Sequence, residues 1–223
     1  MAFRDELVEG LARTEARLAR RMLRVAMVAW QVWGVCFDLR YGVETTSRIP
    51  GPCGELNDAF VPWFMKRVIA PSSVRPSDVF LDVGSGKGRV VLFAASRYPF
   101  RRVIGIELSE QLDRAAGENI RRYRGHLAPI ELVNQDVLDW KVPNDVTVVF
   151  IYNPFSGSVF ERFMGALRQS LTDCPRDLRL IYANPQMRQM VIDAGFTEIR
   201  QLGRIRVYRL TGSRIPDREE DSG

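Results

Sequence analysis

Residues 79 to 95 read VFLDVGSGKGRVVLFAA, an apolar strand followed by three glycines at alternate positions and an apolar run with helical spacing. Glycine at Gly84, Gly86 and Gly88 lets the main chain approach a ligand where a Cβ would clash. The dinucleotide form of such a turn is G-x-G-x-x-G, with pyrophosphate at the helix N-terminus. Here the spacing is G-x-G-x-G, Arg89 takes the sixth position, and Asp82 stands just ahead of the turn. A carboxylate there repels phosphate and suits an ammonium or sulfonium cation. Lys87 is not followed by Ser or Thr as a phosphate-binding loop requires. These residues point to an adenosine ligand without a phosphate.

Other strand ends supply matching groups. Glu107, closing a second strand, can accept both hydroxyls of a ribose, and Asp136, after a third, can accept from an adenine amino group. Tyr152, Asn153, Pro154 and Phe155 follow a fourth. Each has an ordinary alternative: a tight turn for the glycines, a helix N-cap for Asp136, a loop start for Asn153. His126, the single histidine, lies before the third strand at the opposite end of the sheet, so it reads as a surface residue. If a base is needed, Tyr152, Tyr41, Glu44 or water are the candidates. Tyr41, Thr45 and Thr46 sit in a segment that would cover the ligand.

The elements that must position these groups follow from periodicity. Residues 3 to 35 read as one long helix, then comes a loop, RYGVETTSRIPGPCGELND, and a second helix near 55 to 70 that Pro62 would kink. Strands are expected at 79–83, 103–107, 130–134, 146–151, 178–183, 197–202 and 205–210. Helices are expected at 88–97, 110–124, 158–171 and 186–194, with Ser158 and Glu161 forming a capping box. The fold class is therefore α/β, a three-layer sandwich on a mostly parallel seven-stranded sheet. Only Gly203 and Arg204 separate the last two strands, so they must form an antiparallel hairpin. The chain divides into a helical extension with covering loop (1–77), a core (78–211) and a disordered tail (212–223).

DVGSGKG, GIEL, NQDVLDW and YNPF, in that order and followed by a terminal hairpin, resemble the motifs of class I S-adenosylmethionine-dependent methyltransferases over residues 78 to 210. The resemblance implies S-adenosylmethionine as cofactor. Asp82, Gly84, Ser85, Gly86 and Gly88 would line its methionine end, with Glu107 and Leu108 at the ribose, Asp136 and Val137 at the adenine, and Asn153 facing both methionine and acceptor. It also implies a catalytic role for Asn153 and an acceptor contact for Phe155; Tyr152 is expected to be catalytic as a base candidate, and Tyr41 and Thr46 to contact substrate from their place in the covering segment. DVGSGKGRVVLFAA is similar to the turn of non-SET protein-lysine methyltransferases. RYGVET with YPFRRVIGIE resembles a group of bacterial methyltransferases of unassigned acceptor. NPF is similar to the Asn-Pro-Pro-Tyr/Phe loop of amino-group methyltransferases, one proline short. The expected function is methyl transfer by in-line displacement to a nitrogen of a protein or peptide. The alternatives are O- or C-methylation of a small metabolite, and a cofactor-binding scaffold without catalysis.

Composition bounds this reading. A chain of 223 residues, 46% apolar and 26% charged, suits one soluble domain. Cys36, Cys53 and Cys174 show no metal-ligand spacing and read as reduced thiols of a cytoplasmic protein, so no metal is expected. The apolar window 25–39 is too short to span a membrane. The net charge of +5 allows an acidic partner, but the basic residues are scattered and give no nucleic-acid signature. Trp30 and Trp33 are expected to pack on the core. The apolar first helix also allows a homodimer.

Overall fold

The structure is a computed structural model that describes residues 31–47 and 64–212. The expected helix over 3–30, Trp30, Cys53, Pro62 and the tail beyond 212 lie outside the described residues. Helix α1 (31–41) runs six residues past its expected end. Phe37 and Tyr41, one turn apart, both bury their rings and carry the pattern on. Gly34 lies where an added Cβ would meet Thr46 Oγ1 at 3.1 Å and Arg89 at 3.2 Å. Gly42, at φ +65°, ends the helix, and Val43 N donates to Asp38 O at 3.0 Å to close a Schellman motif.

After the short α2 (Met65–Val68) come β1 (Val79–Val83), α3 (Arg89–Arg97), β2 (Arg102–Glu107), α4 (Glu110–Arg122), β3 (Ile130–Asn134), β4 (Val146–Ile151), α5 (Gly157–Asp173), β5 (Asp177–Ala183), α6 (Arg188–Asp193), β6 (Thr197–Leu202) and β7 (Ile205–Thr211). The seven strands form one sheet in the order β3-β2-β1-β4-β5-β7-β6. β1 to β5 pair in parallel, while β7 pairs antiparallel with β5 and β6, as the short link at Gly203 demands. β1 is central and buried throughout, because helices cover both faces and even its odd and even residues meet apolar neighbours. α1, α2, α3 and the end of α4 pack on one face around Phe80, Phe150 and Val148. α5 and α6 pack on the other around Leu81, Ile151 and Tyr182. The described part of the N-terminal extension thus shares the core.

The expected capping box at Ser158 is corrected. Ser156 is the N-cap, α5 begins at Gly157, and no side chain caps it. Gly157 has φ +58°, a conformation that lets the helix start sharply after the Phe155 anchor. α4 conforms to rule: the Ser109 hydroxyl accepts from Leu112 N, Glu110 and Asp113 occupy the first turn, and Arg121 and Arg122 the last. No helix among the described residues is long and apolar enough to cross a membrane.

Candidate functional site

The carboxyl ends of β1, β2, β3 and β4 converge where the strand order reverses between β1 and β4, the crevice in which open α/β sheets bind ligands. The turn after β1 is tied to β2, since Gly84 N and Ser85 N both donate to Ile106 O, at 2.9 and 3.0 Å. Its three glycines have positive φ for different reasons. A Cβ on Gly84 would strike Pro154 Cβ at 2.5 Å, and one on Gly88 would press on Ala116 of α4 at 3.3 Å. A Cβ on Gly86 would enter open space, the cradle that a ligand can approach.

Glu107 holds this turn and the next together. Its Oε2 accepts from Gly86 N and its Oε1 from Ser109 N, both at 2.9 Å. Each oxygen keeps a further lone pair for a hydroxyl. Asp82 is 2% exposed, and no hydrogen bond or cation among the described residues reaches its carboxylate. Burial, reinforced by the neighbouring Glu107 charge, pushes its pKa well above the ordinary range. A buried acid facing a second acid is what a cationic ligand would relieve. Asp136 Oδ1 accepts from Leu138 N at 2.9 Å, which fixes the carboxylate at the end of β3. Leu108 is 56% exposed, Val137 is buried, and the Ser85 hydroxyl is buried without a partner among the described residues.

After β4 the chain turns at Asn153, with φ +45°. Asn153 Nδ2 donates to Asn184 O at 2.7 Å, while Oδ1 is buried and has no partner among the described residues. Pro154 lies on Gly84, and Phe155 anchors on Phe163 and Phe160 of α5, with ring centroids 5.7 and 6.2 Å away. Tyr152 is half-buried against the α1–α3 side of the core. Phe155 therefore holds the loop in place, and only part of its ring remains for a substrate.

The covering segment is latched to the glycine turn, a feature that the spacing of the motifs did not disclose. The Asp38 carboxylate accepts from Thr45 N, Thr46 N and both threonine hydroxyls at 2.5 to 3.0 Å. Those hydroxyls accept in turn from Arg89 Nε at 2.6 Å and Nη2 at 3.0 Å. Arg89 is buried, which lowers its pKa from the ordinary value against the pull of Asp38 and Glu44. Lys87 Nζ, also buried, donates to Glu44 Oε2 at 2.5 Å and to Ser47 Oγ. Asn119 of α4 completes the latch, accepting from Glu44 N and donating to Glu44 O and Lys87 O.

Three sequence expectations change here, at Tyr41, Thr46 and Glu44. Tyr41, expected to face a substrate, is the last residue of α1. Its ring stacks on Phe37 at 4.3 Å, and its hydroxyl accepts from Arg97 Nε at the far end of α3, away from the crevice. Thr46 lies near the crevice, but its hydroxyl is spent on Asp38 and Arg89. Glu44 is a poor base: burial raises its pKa, but hydrogen bonds from Lys87 and Ser47 outweigh this and hold it below the usual value. His126 is half-buried at the amino end, its Nδ1 3.0 Å from Ala128 O. Asn134, not anticipated, donates to Glu107 O at 2.8 Å and Leu108 O at 3.2 Å, joining the β3 and β2 ends. Among the described residues no His, Cys, Asp and Glu side chains gather in a way that could hold a metal ion.

Comparison with known proteins accords with this geometry. The family model described as "Histone methylation protein DOT1" matches residues 53–181, more than half of the chain. A tRNA (guanine-N(7)-)-methyltransferase of Oenococcus oeni is 32% identical over 76 residues, 33% of this chain and 35% of that protein, so the match spans about a third of the relative's length. An RNA methyltransferase from Salinibacter ruber, solved with S-adenosyl-L-homocysteine, aligns with a TM-score of 0.50 and 24% identity over 71% of this chain and 97% of that one. Precorrin 8W decarboxylase from Methanobacterium thermoautotrophicum aligns with a TM-score of 0.51 and 20% identity over 74% and 96%. These two structures share the fold. The chain belongs to the histone methylation protein DOT1 family and carries the class I S-adenosylmethionine-dependent methyltransferase fold.

Proposed function

We propose that this methyltransferase delivers its methyl group to a nitrogen that carries hydrogen, on a protein or peptide. When bound, S-adenosylmethionine supplies an electrophilic sulfonium methyl. The residues present fit it. Asp82 would balance its positive charge, Glu107 would accept from its ribose hydroxyls, and Asp136 with Leu108 would border its adenine. What this chain does in the reaction is to bind, orient and exclude water. In-line transfer breaks one S–C bond and forms one N–C bond, and the nitrogen's excess proton leaves to solvent. Much of the rate can come from holding the nitrogen lone pair in line.

The observation that carries the acceptor reading is Asn153 Oδ1, a buried acceptor at the end of β4 without a partner among the described residues. It accepts from an N–H or an O–H, and leaving it unmet costs about 1–3 kcal/mol. The choice of nitrogen is supported by the family's description, which favours a protein amine. A second reading, an RNA nitrogen, is favoured by the name of the Oenococcus oeni relative. The test is transfer of labelled methyl from S-adenosylmethionine to a mixture of basic proteins, total RNA and small metabolites, followed by hydrolysis of each fraction. Label recovered as methylated amino-acid side chains supports the proposal. Label confined to RNA or to hydroxylated metabolites overturns it, and no label in any fraction favours the scaffold reading.

A further inference from the structure

β4 and β5 lie side by side, and each leads into an Asn-Pro pair, Asn153-Pro154 one intervening residue beyond β4 and Asn184-Pro185 directly after β5. Asn153 and Asn184 are the two non-glycine residues with positive φ among the described residues, at +45° and +51°. Left-handed backbone is costly for an L residue, and a following proline restricts its predecessor further. Two such residues side by side at a candidate active site indicate that the surrounding structure enforces them.

The hydrogen bonds show what they are held for. Arg204, in the β6–β7 turn, accepts through its carbonyl from Asn184 N at 2.7 Å. Asn184 O in turn accepts from Asn153 Nδ2 at 2.7 Å. Because the nitrogen of the Asn153 amide is engaged by a carbonyl, its other end must be the oxygen, so the amide cannot usefully flip. That oxygen is the buried Oδ1, without a partner among the described residues. On the other side, Pro154 is pressed on Gly84, so the loop cannot swing away from the glycine turn.

We infer that Asn184 is a positioning residue: its left-handed backbone turns its carbonyl onto Asn153 Nδ2 and so presents Asn153 Oδ1 as an acceptor to the attacking nitrogen. This rests on the nitrogen reading above and sharpens it. An acceptor amide selects a nitrogen bearing hydrogen, such as an amine, over a ring nitrogen with only a lone pair. It also pulls on the N–H as the nitrogen becomes cationic, when the hydrogen bond strengthens.

The test compares Asn184→Ala with Asn184→Gly in the full chain. Glycine adopts positive φ freely and preserves the carbonyl's direction, whereas alanine does not. The first readout needs no substrate: the side-chain NH2 resonances of Asn153 in a 15N-labelled sample, assigned by their loss in Asn153→Ala. The pair is expected to shift toward the free-amide position in Asn184→Ala and to return in Asn184→Gly. The second is methyl transfer to an amine acceptor, where kcat should fall about tenfold or more in Asn184→Ala with affinity for S-adenosylmethionine unchanged, and recover in Asn184→Gly. Resonances indifferent to Asn184→Ala, or displaced equally in both variants, overturn the inference. If they respond as expected while the wild-type protein methylates no amine, the positioning stands and the nitrogen reading falls.

Discussion

Two aspartates stand at opposite ends of the central strand, and they live in opposite ways. Asp78, just before β1, is almost fully buried and fully served: Oδ2 accepts from Arg75 N at 2.8 Å and Arg179 Nη2 at 2.9 Å, and Oδ1 from the Thr147 hydroxyl at 2.9 Å. Asp82, four residues on, is at least as deeply buried and faces another acid. Among the described residues, donors serve Asp78 at the amino end of the strand and none serves Asp82 at its carboxyl end, although Glu107 and Asp136 on the neighbouring strand ends are served by main-chain N–H groups. A buried carboxylate satisfied from within is part of the fold's stability. One left to repel its neighbour costs stability and is explained by a partner from outside.

Removing the served acid should have the largest effect on the fold. Asp78→Ala strands the Arg179 cation and the Thr147 hydroxyl, and is expected to cost about 3 kcal/mol of unfolding free energy. Denaturant melts will show this, and affinity for S-adenosylmethionine, measured on the folded fraction, should not change. A loss of affinity as large as the loss of stability would erase the contrast between the two aspartates. The glycine turn provides an intermediate case. Gly84→Ala combines positive φ with a Cβ 2.5 Å from Pro154, and should destabilise by about 2 kcal/mol while displacing the Asn153 loop. Gly86→Ala shares the φ penalty but meets no atom, so it should fold better than Gly84→Ala yet bind cofactor worse.

The smallest effect, and the sharpest in sign, concerns pH. Asp82 has a folded pKa raised above its unfolded value of about 3.9, so the native state holds a proton that the unfolded state has lost. Its contribution to stability is therefore greatest below the unfolded pKa and falls as pH rises toward the folded one. Asp82→Asn should flatten that part of the melting-temperature profile, and saturating cationic cofactor should also flatten it by favouring the ionised acid. A profile unchanged by the substitution would mean that the acid is not strained.

The alternation of strands and helices was legible in the sequence because the parallel strands are buried on both faces and read as unbroken apolar runs. β1, β3, β4 and β6 have the expected ends. The carboxylates at 82, 107 and 136 were legible because a strand end followed by glycine or a helix start fixes where a side chain must go. The latch was not, because it joins Asp38, Glu44 and Thr46 to Lys87 and Arg89, residues more than 40 positions apart that nothing local brings together. Arg89 was visible only as a breach of the dinucleotide spacing. α1 runs past the expected end at 35 because Phe37 and Tyr41 bury their rings, and the missing Cβ of Gly34 admits Thr46 and Arg89, a fit set by residues distant in sequence. The second Asn-Pro pair stood in plain view at 184–185. Its importance depends on β5 lying beside β4, a matter of sheet order that a single strand end does not reveal.

Calorimetric titration of S-adenosylmethionine into wild-type and Asp82→Asn protein at neutral pH tests whether Asp82, which no donor among the described residues serves, answers the cofactor's positive charge. The variant is expected to bind about a hundredfold more weakly, the loss expected when a buried charge pair loses one member, while melting at the same temperature or higher without ligand. Equal affinity in the two proteins, or a variant that loses affinity only because it unfolds, would contradict it.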